Sequence, residues 1–207
     1  MLGHIGAYAG DMGAPSEKYP FYVGVNGGYG ATTWKGLVPK IDNQNMVLSM
    51  STPVDVQEGG GVWGGVMGFE FSSHWGVELN YLAYPRATVL FNEGSFFAFE
   101  NEGQTELSTQ TEAVSLMAKI MVAVPHTVFR AYSSVGVGWI HRDDVINNMW
   151  LAVPSFGAGL NYLFSEHVMG ELAANYMSGY GESELSPANN YIPFLYAVYF
   201  RLAYRIF

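Results

Sequence analysis

The 207-residue chain has no cysteine, which removes disulfide frameworks, thiolate metal sites and thiol catalysis together. It is also short of charge: 13% of its residues are Asp, Glu, Lys or Arg, against about 25% in an average soluble domain. Cations are the scarcer sign, with 9 Lys and Arg facing 18 Asp and Glu for a formal charge of -9. That balance argues against nucleic acid as a partner, because phosphate backbones demand a basic surface. Long apolar runs are missing as well. A membrane-spanning helix needs roughly 20 consecutive apolar residues, and the best stretch, 192–207, is broken by Arg201 and Arg205. Residues 1–8 lack the basic region and apolar core of a secretory leader. Either the chain stays in the cytosol or the numbering is that of a mature chain behind an added Met, and the strand pattern below favours the second. The 25 glycines follow no triplet period, which excludes collagen.

What the chain does have is apolar and aromatic content, 49% and 15%, arranged with period two. Eight segments alternate as strands do when their two faces meet different surroundings. In residues 21–32, Phe21, Val23, Val25 and Tyr29 share one face, and Tyr22, Gly24, Asn26 and Gly28 the other. Trp63, Met67, Phe69 and Phe71 oppose Gly64, Gly68 and Glu70; Val77, Leu79 and Tyr81 oppose Gly76, Glu78 and Asn80. Leu116, Ala118, Ile120 and Val122 oppose Ser115, Met117, Lys119 and Met121; Phe129, Val135, Val137 and Trp139 oppose Arg130, Tyr132 and Ser134. Phe156, Leu160 and Phe164 oppose Ser155, Gly157 and Asn161; Leu172, Ala174 and Tyr176 oppose Glu171, Ala173 and Asn175. Last, Tyr196, Val198, Phe200, Leu202, Tyr204 and Ile206 oppose Tyr199, Arg201 and Arg205.

In a soluble barrel the apolar face points inward and the exterior carries charge. Here the polar face is glycine, alanine, serine and asparagine with few charges, too small and too neutral for a solvated exterior. The apolar face is nearly free of charge within the strands, Glu112 near a strand start excepted. The pattern fits a barrel with lipid outside and a tight polar lumen. Only a closed sheet satisfies its backbone hydrogen bonds in lipid. The expectation is an all-β protein: an eight-stranded antiparallel up-and-down transmembrane β-barrel over 21–207. Residues 1–20 form a periplasmic tail or a segment at the barrel mouth.

Connections alternate in length. Those near 72–74, 124–127 and 165–167 are short; those at about 35–60 and 86–110 are long, and 142–148 and 181–190 are intermediate. Short periplasmic turns and longer outer loops produce this alternation, with both termini on the periplasmic side. The outer loops are acidic, carrying Glu93, Glu100, Glu102, Glu106, Asp143, Asp144, Glu182 and Glu184. A strand–turn–strand echo, Phe71 to Leu79 against Phe164 to Leu172, is explained equally by convergent hairpin chemistry and by duplication.

Counted from the short turns, Glu70, Glu78, Lys119, Arg130, Glu171 and Arg201 fall at similar heights on the polar face, three acids and three bases. Strand order places opposite charges side by side at Glu78/Lys119 and Glu171/Arg201. Charges so buried need partners. The main expectation is a structural network that fills the lumen and fixes register, the alternative an electrostatic plug or gate. Eight strands leave room for little more than side chains.

The stretches Gly68 to Tyr81, Phe21 to Tyr29 and Tyr204 to Phe207 resemble the eight-stranded outer-membrane barrels of Gram-negative bacteria. That group includes outer-membrane protein A and the opacity-type surface antigens. The resemblance implies a bacterial outer-membrane location among outer-membrane lipids and lipopolysaccharide. It also implies an assembly signal at Tyr204, Ile206 and Phe207 read by the outer-membrane assembly machinery, although Phe207 is out of phase with the other two. No catalytic residue, cofactor or metal site is expected. His74, His126 and His167 sit in separate short turns, and no histidine begins the His-X-Ser pattern of lipid deacylases. The leading functional expectation is a non-enzymatic protein that supports the membrane and displays acidic loops for adhesion to host surface molecules. A narrow ion or solute channel gated by the charged layer is second, and a lipid-modifying enzyme third.

Overall fold

The computed structural model describes residues 20–39, 50–125, 127, 129–180 and 191–206. Most of the 1–20 segment, His126, the acidic residues Glu182 and Glu184, and Phe207 lie outside the described residues.

Among the described residues ten strands form: β1 (Phe21–Thr32), β2 (Asp55–Gln57), β3 (Gly60–Glu70), β4 (Trp75–Ala83), β5 (Ala87–Leu90), β6 (Glu106–Ala123), β7 (Phe129–Asp143), β8 (Asn148–Leu163), β9 (Val168–Met177) and β10 (Leu195–Ile206). Eight of them close a barrel in the order β1-β3-β4-β6-β7-β8-β9-β10, every neighbour antiparallel and β10 paired back to β1. The period-two pattern thus builds the eight-stranded wall expected of it.

Hydrogen-bond register sets the geometry. Passing once round the wall from Phe21 through Phe69, Val77, Ala118, Val135, Phe156, Tyr176 and Tyr196, the partners return to β1 at Ala31. The sheet therefore closes with a stagger of ten residues, which for eight strands corresponds to a tilt of roughly 40°.

The wall's outer face is apolar. Val25, Trp63, Met67, Leu79, Leu116, Val135, Phe156, Leu172, Phe200 and Tyr204 are all exposed there, as lipid contact requires. The inner face packs small against large. A Cβ on Gly68 would meet the Tyr22 ring at 2.2 Å, and one on Gly159 the Tyr132 ring at 2.7 Å. Each glycine makes room for a tyrosine that reaches an interior carboxylate.

The long connections contain more than the loops expected at 35–60 and 86–110. β2 pairs with β5, and β5 with the first residues of β6, so a three-stranded extension rises from the wall. A 3-10 turn at Trp34–Leu37 and a short helix α1 (Phe96–Glu100) complete it. Trp34, Leu37, Val56, Val89, Phe91, Phe97, Leu107 and Tyr191 form its own core. The 86–110 segment is consequently an elongated hairpin, with β6 starting at Glu106 rather than near 113. Individually β2 and β5 are too short to show a period, and they are stabilised by this shared core.

Candidate functional site

The inward positions of β4, β6, β9 and β10 bring four charges into a closed ring. Arg201 donates from Nη1 to Glu78 Oε2 (2.6 Å) and Glu171 Oε1 (2.7 Å), and from Nη2 to Glu78 Oε1 (2.8 Å). Lys119 Nζ donates to Glu171 Oε2 at 2.6 Å and to Glu78 Oε2 at 3.4 Å. Each carboxylate thus meets both cations. The Tyr22 hydroxyl donates to Glu78 at 2.8 Å and the Tyr132 hydroxyl to Glu171 at 2.6 Å. Arg201 Nε donates to Asn26 Oδ1 at 2.8 Å, and Asn26 in turn donates to Asn80. Lys119 Nζ also stands 3.7 Å over the Tyr132 ring.

A second group lies nearer the short turns. Arg130 grips Glu70 with both terminal nitrogens, at 3.2 and 2.9 Å, and its Nε donates to Asn161. Arg205 Nη2 donates to the same carboxylate at 2.8 Å. All seven ionic side chains are at least nine-tenths buried. Burial of this kind is tolerable only with charge partners and hydrogen bonds together.

The six residues that sequence parity places in one layer are thus divided between two groups. Glu78, Lys119, Glu171 and Arg201 form the ring, while Glu70 and Arg130 form the lower cluster. The adjacent-strand pairs Glu78–Lys119 and Glu171–Arg201 are present at 3.4 and 2.7 Å. The cross-lumen pairs Glu70–Arg130, Lys119–Glu171 and Glu78–Arg201 are additional. Arg205, which parity puts on the inner face, joins Glu70 as a fourth base. Its place on the Arg201 face was the available signal.

Above the ring the lumen turns apolar. Val62, Leu82, Ala113, Ile140, Val153, Met177, Ile192 and Leu195 pack across it. Over them Arg142, fully buried, donates to Asp144 Oδ2 at 2.5 Å and to the Tyr191 carbonyl at 2.8 Å. Its guanidinium lies 4.7 Å from the Trp34 ring. Asp144, an outer-loop acid by sequence, is a structural anchor: it also accepts from the Ile146 and Asn147 amides. The Tyr191 hydroxyl donates to the Thr33 carbonyl at 3.0 Å and is held protonated above its ordinary range, chiefly by burial.

The described histidines remain apart. His74 Nδ1 meets Ser73 Oγ, His141 stacks on Trp150 at 4.6 Å, and His167 stacks on Tyr204. Among the described residues, no three His, Asp or Glu side chains converge as a metal site. Tyr204 is exposed on the outer face at the end of the chain, and Ile206 is half-buried.

A closed antiparallel wall with an apolar exterior and an ionic lumen defines an integral outer-membrane protein. The chain matches the outer membrane protein beta-barrel domain family over residues 5–205 and belongs to it. The protein is accordingly located in the outer membrane of Gram-negative bacteria. No curated protein matches it in sequence. Among solved structures, outer membrane protein OprG of Pseudomonas aeruginosa is similar at TM-score 0.54 and 14% identity, covering 91% of this chain and 97% of that one. Neisserial surface protein A gives TM-score 0.54 at 8% identity, with 90% and 97% covered. Likeness at these identities concerns the fold.

Proposed function

We propose that this protein is a non-enzymatic surface platform, in which a plugged barrel anchors a folded acidic extension that attaches the cell to host or other surface molecules. The observation that carries this reading is the contrast between a lumen filled from the periplasmic cluster to the outer cap and an extension with a core of its own. A loop that merely joins strands needs no packed cluster; a displayed surface does. The extension presents Glu93, Glu100, Glu102 and Phe99 outward.

Replacing residues 93–103 by a Gly/Ser linker should leave a barrel that still migrates anomalously unless boiled, while attachment of expressing cells to epithelial monolayers is lost. Unchanged attachment contradicts the reading. In planar bilayers the purified protein should give no steady single-channel conductance. A conductance altered by Glu78→Ala would instead support a channel gated by the ionic ring. Modification of lipid A detected by mass spectrometry would establish a lipid-active enzyme.

The same reading places the wall against lipopolysaccharide in the outer leaflet and gives Tyr204, Ile206 and Phe207 the role of a signal for the assembly machinery. Tyr204→Ala should then slow membrane assembly in cells without altering refolding in detergent.

A further inference from the structure

The tip of the extension holds a concavity of about 720 Å³ lined by Met50, Glu93, Phe96, Phe99, Glu100 and Gly103, among others. α1 is fixed from beneath: Ser95 Oγ caps it by accepting from the Ala98 amide, and Phe97 stacks on Phe91 at 4.4 Å. This leaves Phe96 and Phe99 on the opposite side, 45% and 88% exposed. The helix ends at Glu100 with Asn101 as its C-cap, and the next two residues, Glu102 and Gly103, have positive φ.

From this arrangement we infer that the tip is a docking site for a cationic amphipathic segment of a partner protein, whose apolar side chains enter the concavity while its basic residues meet Glu93 and Glu100. Two features of the site select that occupant. First, among the described residues two carboxylates and no basic side chain line the concavity, so the phosphates of lipopolysaccharide are repelled and a cation is attracted. Second, the site stands clear of the lipid. β6 begins its pairing with β7 at Gln110, whereas Glu106–Thr109 pair only with β5 and α1 lies beyond them. Rigid aromatic anchors ringed by charge are the usual composition of an interface centre, and the chain's formal charge of -9 favours encounter with a basic partner.

This inference rests on the surface-platform reading and names its partner class. The test uses the full chain in phosphatidylcholine nanodiscs and a fluorescent amphipathic leucine/lysine peptide, followed by anisotropy. The peptide should bind saturably, at least about tenfold more weakly to F96S/F99S, since each buried Phe contributes well over a factor of ten when fully covered. E93Q/E100Q should lose most of the salt dependence seen between about 50 and about 500 mM. A leucine/glutamate peptide should not bind. Equal binding by the glutamate peptide, by F96S/F99S or by empty nanodiscs overturns the proposal. Anomalous gel migration before boiling verifies that each variant is folded. If the lysine peptide binds as described but the linker-replaced cells still attach, the site stands and the adhesion reading falls. If attachment requires 93–103 but the peptide does not bind, the reverse holds.

Discussion

Toward the short turns the lumen is occupied by Glu70, Glu78, Lys119, Arg130, Glu171, Arg201 and Arg205, each held by charge-assisted hydrogen bonds; toward the longer connections it is occupied by Leu82, Ile140, Val153, Met177 and Leu195, beneath a loop-borne cap. The two halves respond differently to damage. An ionic cluster fails abruptly, because deleting one member leaves its partners charged and dry. An apolar layer fails by degrees, in proportion to the cavity left behind. The ionic half also specifies register: β9 and β10 put Glu171 directly opposite Arg201, and a one-residue slip of either strand would put the two on opposite faces, one of them unpaired in lipid. The apolar half carries less such information and accommodates the cap.

The sharpest challenge to this contrast is Arg201→Ala, which strands both Glu78 and Glu171. It should destabilise the barrel by about 3–5 kcal/mol in urea unfolding; an unchanged transition would show that the ring is wet and loosely paired. Next comes the wall itself. Leu116→Arg should cost about 2–4 kcal/mol of insertion from its lipid-facing position, whereas Ser115→Arg should act through lumen crowding. Refolding yields and unfolding in lipid vesicles distinguish them, and equal tolerance at both positions would contradict the assigned facing. In the apolar half, Leu82→Ala should cost about 2–3 kcal/mol with no change in pH dependence, and a loss as large as that of Arg201→Ala would erase the contrast between the halves.

The smallest effect concerns the cap. Tyr191 has its hydroxyl pushed above the ordinary value by burial, so the folded cap prefers the protonated form. Its stabilisation is complete below about pH 10, the unperturbed tyrosine value, and declines as pH rises from there through the raised value. Tyr191→Phe should therefore remove one late-titrating hydroxyl from the tyrosinate absorbance curve, at a cost of about 0.5–1.5 kcal/mol. Loss of an ordinary, early-titrating hydroxyl in Tyr191→Phe instead would mean that the cap is open.

Much of this architecture was legible because period two converts position directly into facing. Val114, Leu116, Ala118 and Ile120 against Ser115, Met117 and Lys119 could be assigned without knowing any partner, and the short turns gave strand order. Stagger could not be read in this way. Parity states that Glu70 and Arg130 both point inward, but only a ten-residue stagger brings β3 and β7 to the same height across the lumen. Cross-lumen contacts and the placement of Arg205 beside Glu70 therefore emerged with the structure. The extension was hidden for another reason. β2 has three residues and β5 four, below the length at which alternation is informative, and they are held by the distant Trp34, Leu107 and Tyr191. Its acids mark an outer loop by sequence, whereas the exposure of Phe96 and Phe99 beside them follows from the Phe91–Phe97 stack, which only the fold brings together.

The property on which all the others depend is which face of the wall meets hydrocarbon. Replace the five native tryptophans by phenylalanine, introduce Leu116→Trp, refold the chain into vesicles containing lipids brominated at mid-chain, and record fluorescence beside a chain retaining only Trp34. The introduced indole should be strongly quenched and Trp34, buried in the cap, should be spared. Strong emission from position 116 together with quenching of Trp34 would contradict the account.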